Sequence, residues 1–481
     1  MRVVLAGKGR ESLWGSAMID RVRWAQSALD EAPSPFAKGE RERPIRITFH
    51  DSTLVGLPVE EEEPLEALRQ LSGLPEVEAL ETGPGSHPRL TIGAFDGDSQ
   101  DVPLSVEHEG GRTIAARLPG LLQWRRLAAM LVNQTDPQHP DVKEMLEDLV
   151  TARAHVELNR DVLVTLSPWL LTHRSRAPVR EANPRAPSEA AKIAGLLLRT
   201  RGNYTHTVDR QLKKSFDRGL FYLVLARHRL PSMWRYFGAC VHAGKIRGDD
   251  TLYLGQSVLT RCVRALQARD AIGAQFYLPQ DNNSRDAMMY HFDYLTLVLA
   301  GAIDAQARVA HRAYGITKPK ESWASFGRQD FQNELKECGA LALHKLATRQ
   351  HFEDVRTLLY QPRNTIHGAS LPTLAYRRGG EPEASFVHVP PQYSQPLWDA
   401  AGRTGPPQEW GLTCDFEVLL EPYTYSVALV DESFKLIDEI ACATDIAGLF
   451  PAGHPIPTIT AGPPEDSVFG EQIRNRLDAL G

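Results

Sequence analysis

The sequence has few cysteines and none in a close pair. The five cysteines are Cys240, Cys262, Cys338, Cys414 and Cys442, and no two of them are separated by only two residues. Structural zinc sites and disulfide frameworks need closely spaced cysteines, so neither is predicted. We expect a reducing, cytoplasmic location, no metal site and no cofactor.

The sequence also lacks long apolar runs and nucleotide-binding loops. No stretch approaches the roughly 18 uninterrupted apolar residues of a membrane span. The beginning, MRVVLAGKGRESLWGS, carries early charges and no long apolar core, so it does not resemble a signal peptide. Its glycines flank a lysine without the spacing of a phosphate loop. The composition, 42% hydrophobic and 24% charged residues, is typical of soluble globular proteins. The length of 481 residues predicts several domains.

Charge is unevenly distributed along the chain. Residues 1–100 hold 11 Lys and Arg against 17 Asp and Glu, a net charge of −6, whereas residues 186–275 hold 15 against 6, a net charge of +9. A basic segment can follow a phosphate backbone, and it also fits a solvated helical surface with acidic neighbours. The candidates for nucleic-acid contact are Lys192, Arg199, Arg201, Lys213, Lys214 and Arg218.

The pattern of elements predicts an α+β protein. A mixed α/β domain is expected over 1–185, with strands in 45–55, 88–95 and 161–167, a hairpin over 102–118, and helices near 60–74, 120–133 and 141–158. The proline- and arginine-rich stretch 174–190 is predicted to be a linker or exposed loop. A basic helical region follows over 186–280, in which Ser188 is a suitable N-cap for the first helix.

The clearest helical periodicity lies in 281–445. Within 286–314, apolar residues recur at helical spacing and form one stripe, while Asp304, Arg308 and His311 lie off it. Further helices are predicted over 328–360 and 422–443. Long helices joined by polar loops favour an antiparallel bundle, with 372–420 as a loop or small sheet that caps it. Residues 446–481 are predicted to be a tail with a short helix.

The stretch QPRNTIHGASL, residues 361–371, concentrates chemistry within this bundle. Pro362 favours a fresh helix start and Gly368 favours a stop. If 363–367 forms one helical turn, Arg363 and His367 lie on the same face. A guanidinium binds phosphate through a fork of donors, and an imidazole carries a proton near neutral pH. With the 2′-hydroxyl of RNA as nucleophile, such a pair needs no metal.

RNTIHG within a helical bundle resembles the HEPN superfamily. Those are all-α domains that carry an arginine, a polar residue, a short spacer and a histidine. The resemblance implies a metal-independent endoribonuclease that acts on RNA as a homodimer, with Arg363, Asn364 and His367 as its catalytic residues. A role in phage defence or a toxin-like system is implied in the same way. This spacer has three residues, where the family usually has four to six.

Two alternatives remain open. In the first, the bundle is a catalytically inactive module, and the basic segment holds nucleic acid or protein. In the second, the chemistry lies in residues 1–170, and the helical half only dimerises. His50 and Asp51 support this last hypothesis because they follow a predicted strand, although a His–Asp pair also fits a purely structural role.

Overall fold

The computed structural model describes residues 43–481 with internal gaps. The residues outside the description are 1–42, 55, 84–86, 94–100, 109–110, 120–121, 137, 175, 177–178, 208–212, 279–280, 369–372, 377–383, 415–416, 452–453, 455–474 and 476. The chain forms two compact units, one of residues 43–214 with Ala479–Gly481, the other of 215–376 and 384–478. The predicted α+β class is confirmed. None of the described helices is long and apolar enough to cross a membrane.

The first unit is built on a seven-stranded sheet. Its strands are β1 (Ile45–Phe49), β2 (Val77–Glu81), β3 (Arg89–Ile92), β4 (Asp101–His108), β5 (Gly111–Pro119), β6 (Val162–Val164) and β7 (Pro184–Arg185). The strand order is β5-β4-β3-β2-β1-β6-β7. The pairs β1–β2, β2–β3, β1–β6 and β6–β7 are parallel, and β3–β4 and β4–β5 are antiparallel. The predicted hairpin is therefore the antiparallel edge of a mainly parallel sheet.

The path of the chain through this sheet reverses at β1. From β1 the chain moves to β2 and β3 on one side, and it later returns to β6 on the other side of β1. The carboxyl ends of β1 and β6 are consequently adjacent, while the connections that leave them diverge. In open α/β sheets, ligands bind outside the carboxyl ends of the strands at such a reversal.

Helices pack against the sheet, whose strands β1, β2 and β6 are buried at most of their positions. They are α1 (Val59–Leu71), α2 (Leu122–Leu131), α3 (Pro140–Glu157), α4 (Pro168–Thr172) and α5 (Pro187–Thr200). Leu80 and Leu163 share a buried core with Met145 and Leu149 of α3. Since successive side chains alternate across a sheet, the neighbours of Leu80 and Leu163 in β2 and β6 face the opposite side. Short strands β8 (Thr205–Thr207) and β9 (Lys213–Ser215) form a separate pair.

The stretch predicted as a linker, 174–190, is part of the first unit. It contains a 3-10 helix (Val179–Ala182), the edge strand β7 and the start of α5. Ser188 is not the N-cap, which is Ala186; instead Glu61 of α1 accepts hydrogen bonds from the Ser188 backbone N–H and hydroxyl, both at 2.7 Å. A carboxylate beside a helix N-terminus is favourable. This contact ties α5 to α1, and the division between units falls after residue 214 rather than 185.

The second unit is mostly helical. Its helices are α6 (Arg218–Arg229), α7 (Met233–Arg247), α8 (Thr251–Phe276), α9 (Asn282–Ala313), α10 (Gln329–Glu337), α11 (Leu341–Ala347), α12 (Gln350–Gly368), α13 (Pro391–Thr404) and α14 (Pro422–Ala443). The long helix α9 packs against α8, α12 and α14. Its predicted apolar stripe is confirmed, since Met288, Phe292, Leu295 and Leu299 are buried. Because α8 and α9 pack together, residue 280 does not separate two domains.

Two predicted features of this unit differ in detail. The helical region expected over 328–360 is divided among α10, α11 and the start of α12. The break between α10 and α11 contains Gly339, whose φ of +80° suits glycine. The segment expected as a loop or small sheet contains a sheet of β10 (Thr373–Tyr376), β11 (Ala384–His388), β13 (Val418–Leu420) and β12 (Leu412–Cys414), in that order. Of the predicted tail, a 3-10 helix (Ile446–Leu449) is described, and 455–474 lie outside the description.

Candidate functional site

The RNTIHG motif lies within α12, and Pro362 does not begin a new helix. A proline inside a helix has no N–H to donate to the carbonyl four residues earlier, here that of Leu358. The buried hydroxyl of Tyr425 in α14 donates to the Leu358 oxygen instead, at 2.6 Å. A neighbouring helix therefore supplies the hydrogen bond that the proline removes. The helix continues to Gly368, the stop expected from the sequence.

Arg363 and His367 are both in this helix, four residues apart. The backbone is helical through both positions, which places them on one helix face, as predicted. The side chain of His367 lies outside the described part of the structure. Asn364 is exposed, and its Oδ1 accepts a hydrogen bond of 3.1 Å from Nη1 of Arg363.

Arg363 is half-buried beside a polar pair that joins α12 to α9. Its Cζ lies 5.9 Å from the ring centroid of Tyr360, and the Tyr360 hydroxyl donates to Oδ1 of Asp304 at 3.0 Å. Burial raises the pKa of Asp304, while the Tyr360 hydrogen bond and nearby arginines oppose that rise. Burial and the Asp304 charge both raise the pKa of Tyr360, so Tyr360 stays protonated. The pair holds Arg363 at the contact between the two helices.

Two further arginines act on the Asp304 carboxylate. Arg261 comes from α8 and Arg308 from α9, and the positive charges of both favour the ionised form of Asp304, as Arg363 does. The guanidinium of Arg261 lies against Gly301, where an added Cβ would come within 1.3 Å of Nη1. Gly301, Asp304 and Arg308 share one face of α9, because three and four residues separate them. Glycine at 301 gives the guanidinium its space.

The arrangement can hold a phosphate. The positive charges of three guanidinium groups, each from a different helix, favour the ionised form of one carboxyl, and Nε of Arg363 is buried with no hydrogen-bond partner among the described residues. Guanidinium forks match phosphate oxygens in geometry and charge. The surplus of positive charge over the single carboxylate favours an anionic ligand.

The sequence identified only part of this group. Asp304 and Arg308 lie off the predicted apolar stripe, whereas Arg261, Gly301 and Tyr360 were missed because they come from other helices or precede the motif. The periodicity of α9 carried the available signal, since Gly301, Asp304 and Arg308 share its polar face. His311, which also lies off the predicted stripe, is buried and its Nε2 lies 2.9 Å from the Pro319 carbonyl, a structural contact.

The basic segment 186–275 is divided between the two units, and its candidate residues differ in exposure. Lys192 and Arg218 are exposed and remain suitable for phosphate contact. Arg199 does not fit that surface, because it is buried and donates to the Leu480 carbonyl at 2.7 Å. Arg201 is half-buried and donates to the Arg43 carbonyl at 2.9 Å. The side chains of Lys213 and Lys214 lie outside the described part.

The motif and its helical setting are the support for the HEPN resemblance. Arg363, Asn364 and His367 follow one another in a single helix that packs against α9 and α14. Comparison of the chain with protein-family models, curated proteins and solved structures finds no match.

Proposed function

We propose that the helical unit is a metal-independent endoribonuclease of the HEPN type. The observation that carries the proposal is the setting of Arg363. It lies one helical turn from His367, and its charge, together with those of two other arginines, favours the ionised form of Asp304. A phosphate-binding guanidinium next to a histidine is the minimum that RNA cleavage by its own 2′-hydroxyl requires.

The proposed reaction transfers a phosphoryl group within the RNA. His367 accepts the proton of the 2′-hydroxyl, whose oxygen attacks the adjacent phosphorus. The bond from phosphorus to the 5′-oxygen breaks, and that oxygen takes up a proton. The products are a 2′,3′-cyclic phosphate and a free 5′-hydroxyl. Arg363 binds the non-bridging oxygens, where negative charge increases in the transition state.

The other arginines extend phosphate binding beyond the reacting centre. Arg308 is exposed and Arg261 is half-buried, so both can reach a ligand that approaches Arg363. Asp304 keeps the three guanidinium groups together by offsetting part of their mutual repulsion. Tyr360 fixes the Asp304 carboxylate through its hydrogen bond.

Replacing Gly301 by alanine should weaken RNA binding without unfolding the unit. The new methyl group displaces the flexible end of Arg261 rather than backbone. Alanine also favours a helix over glycine, by roughly 1 kcal/mol. Loss of one phosphate contact should reduce the slope of log Kd against log salt by about 0.7 for single-stranded RNA. Fluorescence anisotropy at several salt concentrations measures this slope.

Gly402→Ala is the matched control, because a Cβ at this helical glycine meets no atom within 4 Å. It should bind RNA with the wild-type slope. An unchanged slope in Gly301→Ala would remove Arg261 from the proposed phosphate site.

We also expect the protein to form a homodimer through the helical unit. One Arg–His pair provides a single acid–base group, whereas the reaction needs a proton acceptor and a proton donor. A second copy of His367 would provide the donor. Light scattering at micromolar concentration should give twice the chain mass of 53.5 kDa. A clean monomer that still cleaves RNA would contradict this expectation.

A catalytically inactive binding module is the second candidate function. Two observations favour it: Nη1 of Arg363 already bonds to Asn364, and only three residues separate Arg363 from His367. Salt-dependent RNA binding by wild type, without cleavage, would support this function over the first.

A further inference from the structure

A chain of polar side chains lies at the carboxyl edge of the first unit's sheet, where β1 and β6 are adjacent. His50 and Ser52 follow β1, Thr165 and Ser167 follow β6, and Asp148 comes from α3. His50, Asp148, Thr165 and Ser167 are all buried. This edge is the reversal point of the sheet, where ligand sites of open α/β sheets occur.

His50 connects a hydroxyl to two carboxylates. Its Nδ1 lies 2.8 Å from Oγ of Ser52. Its Nε2 lies 3.2 Å from Oδ1 of Asp51 and 3.6 Å from Oδ1 of Asp148. With the ring protonated on Nε2, His50 can accept the proton of Ser52 on Nδ1, and the positive charge that it then carries lies close to both carboxylates. Serine, histidine and carboxylate in this order form the relay of an activated nucleophile.

The Ser52 hydroxyl lies between two groups that can take its proton, Nδ1 of His50 at 2.8 Å and Oγ1 of Thr165 at 3.2 Å, and His50 is the nearer. Oγ of Ser52 accepts the Leu166 backbone N–H at 3.0 Å, which fixes the oxygen against the end of β6. Thr165 also lies 3.2 Å from Nδ1 of His50, but Thr165 is completely buried. Ser52 is half-buried, and the side chain of the neighbouring Asp51 is 63% exposed. Ser52 is therefore the hydroxyl that a ligand can reach.

Asp148 is held in place on the side away from His50. The Ser167 hydroxyl donates to its Oδ2. The pKa of Asp148 is raised to about 7, chiefly by burial; the charges of Glu144, Asp51 and Glu147 add to the rise, and the Ser167 hydrogen bond opposes it. Burial lowers the pKa of His50, and Asp51 partly offsets this. His50 is thus favoured as the neutral ring that a proton acceptor must be.

A second serine–histidine–carboxylate chain in the same unit presents Nε2 rather than Nδ1 of its histidine to the serine. Ser72 contacts His87, and Nδ1 of His87 lies 3.1 Å from Oε1 of Glu81. The Ser72 hydroxyl, however, donates to the Arg69 carbonyl at the end of α1. Its proton is committed to the backbone, so Ser72 serves as a matched control for Ser52.

We propose that Ser52 is the nucleophile of a second active site, which takes an acyl ester that is uncharged or cationic, with His50 as general base and Asp51 and Asp148 as its orienting carboxylates. This proposal does not depend on the ribonuclease activity proposed for the other unit. The charge of the ligand follows from the surroundings, since Asp51, Glu144 and Glu147 place negative charge around Asp148. An anionic ester would be repelled.

The reaction has two balanced steps. The Ser52 proton moves to Nδ1 of His50 while Oγ bonds to the acyl carbon, and the alcohol leaves with that proton. Water then loses a proton to His50 and attacks the acyl carbon. The bond to Oγ breaks, Ser52 regains its proton, and the carboxylic acid is released.

Labelling of the full-length protein by an uncharged fluorophosphonate tests the proposal. The reagent bonds to an activated serine oxygen, fluoride leaves, and peptide mass spectrometry locates the adduct. We expect one adduct on Ser52 in wild type and in Ser72→Ala, none at that position in Ser52→Ala, and labelling slowed about 10²-fold in His50→Gln. A cationic choline ester should compete at lower concentration than an anionic half-ester of succinate.

Whether Ser52 is labelled is decided with the wild-type protein alone, so this result does not depend on the stability of any variant. A folded wild-type protein without an adduct on Ser52 would overturn the proposal. An unchanged labelling rate in a His50→Gln variant that melts at the same temperature as wild type would also overturn it, because the relay requires His50 to accept the proton.

Discussion

His367→Ala should lower the rate of RNA cleavage by about 10²–10⁴-fold, the usual cost of removing a positioned acid–base group. The helix should tolerate the change, because alanine is the best helix former and His367 lies in its last turn. RNA binding should persist, since Arg261, Arg308 and Arg363 remain. Initial rates on single-stranded RNA, with EDTA present, measure the loss.

The same helix offers matched controls for both motif residues. His351 lies in the first turn of α12, with its Nε2 3.3 Å from Glu432, and His351→Ala should cleave at the wild-type rate. Arg363→Lys should lose cleavage, because an ammonium group cannot form the guanidinium fork. Arg356→Lys should not, since Arg356 is bound to Glu353. Equal rates in wild type and His367→Ala would remove His367 from the mechanism.

Arg160→Ala should destabilise the first unit by about 3–5 kcal/mol, the range for breaking a buried charged contact. Arg160 is 2% exposed and follows α3. Its Nη2 donates to the Ile47 carbonyl at 2.7 Å and to the Glu78 carbonyl at 2.6 Å, so one guanidinium joins β1 to β2. Its Nη1 also donates to the Glu78 carboxylate. The deletion removes these bonds and leaves a cavity.

Thermal unfolding measures this effect against an exposed arginine of the same unit. The transition of the first unit should shift down by on the order of 10 °C in Arg160→Ala. Arg174 pairs with Glu189 at 2.9 Å, with both side chains more than 40% exposed, so Arg174→Ala should cost about 0–1 kcal/mol. Coincident melting of the two variants would show that Arg160 does not hold the strands together.

Local patterns predicted the elements whose residues carry their own signal. The stripe of α9 recurs at helical spacing along the helix, and the residues of strands β4 and β5 flank a pair of glycines in the sequence, so both were located from the sequence. Strand β2 was missed because its sequence, VEALE, has acids at two of five positions. It forms because it pairs with β1, and the buried Glu81 meets His87. Such contacts are not encoded within the strand.

The same limit applies to prolines and to the candidate sites. Pro184 suggested a loop, yet it begins the edge strand β7, where a missing N–H costs little. Pro362 suggested a helix start, but the distant Tyr425 hydroxyl lets the helix continue. RNTIHG is recognisable in the sequence as a motif, whereas Arg261 lies 102 positions before Arg363 and is related to it only by the fold. His50 and Asp51 were noticed, but Asp148 joins them only through the fold.

The end groups of the RNA products test the central claim most directly. Wild-type protein should cleave single-stranded RNA in EDTA and leave 2′,3′-cyclic phosphate and 5′-hydroxyl ends, which mass spectrometry of the fragments identifies. This result requires attack by the neighbouring 2′-hydroxyl, the reaction assigned to Arg363 and His367. Fragments with 3′-hydroxyl and 5′-phosphate ends, or cleavage that EDTA abolishes, would contradict the proposed mechanism.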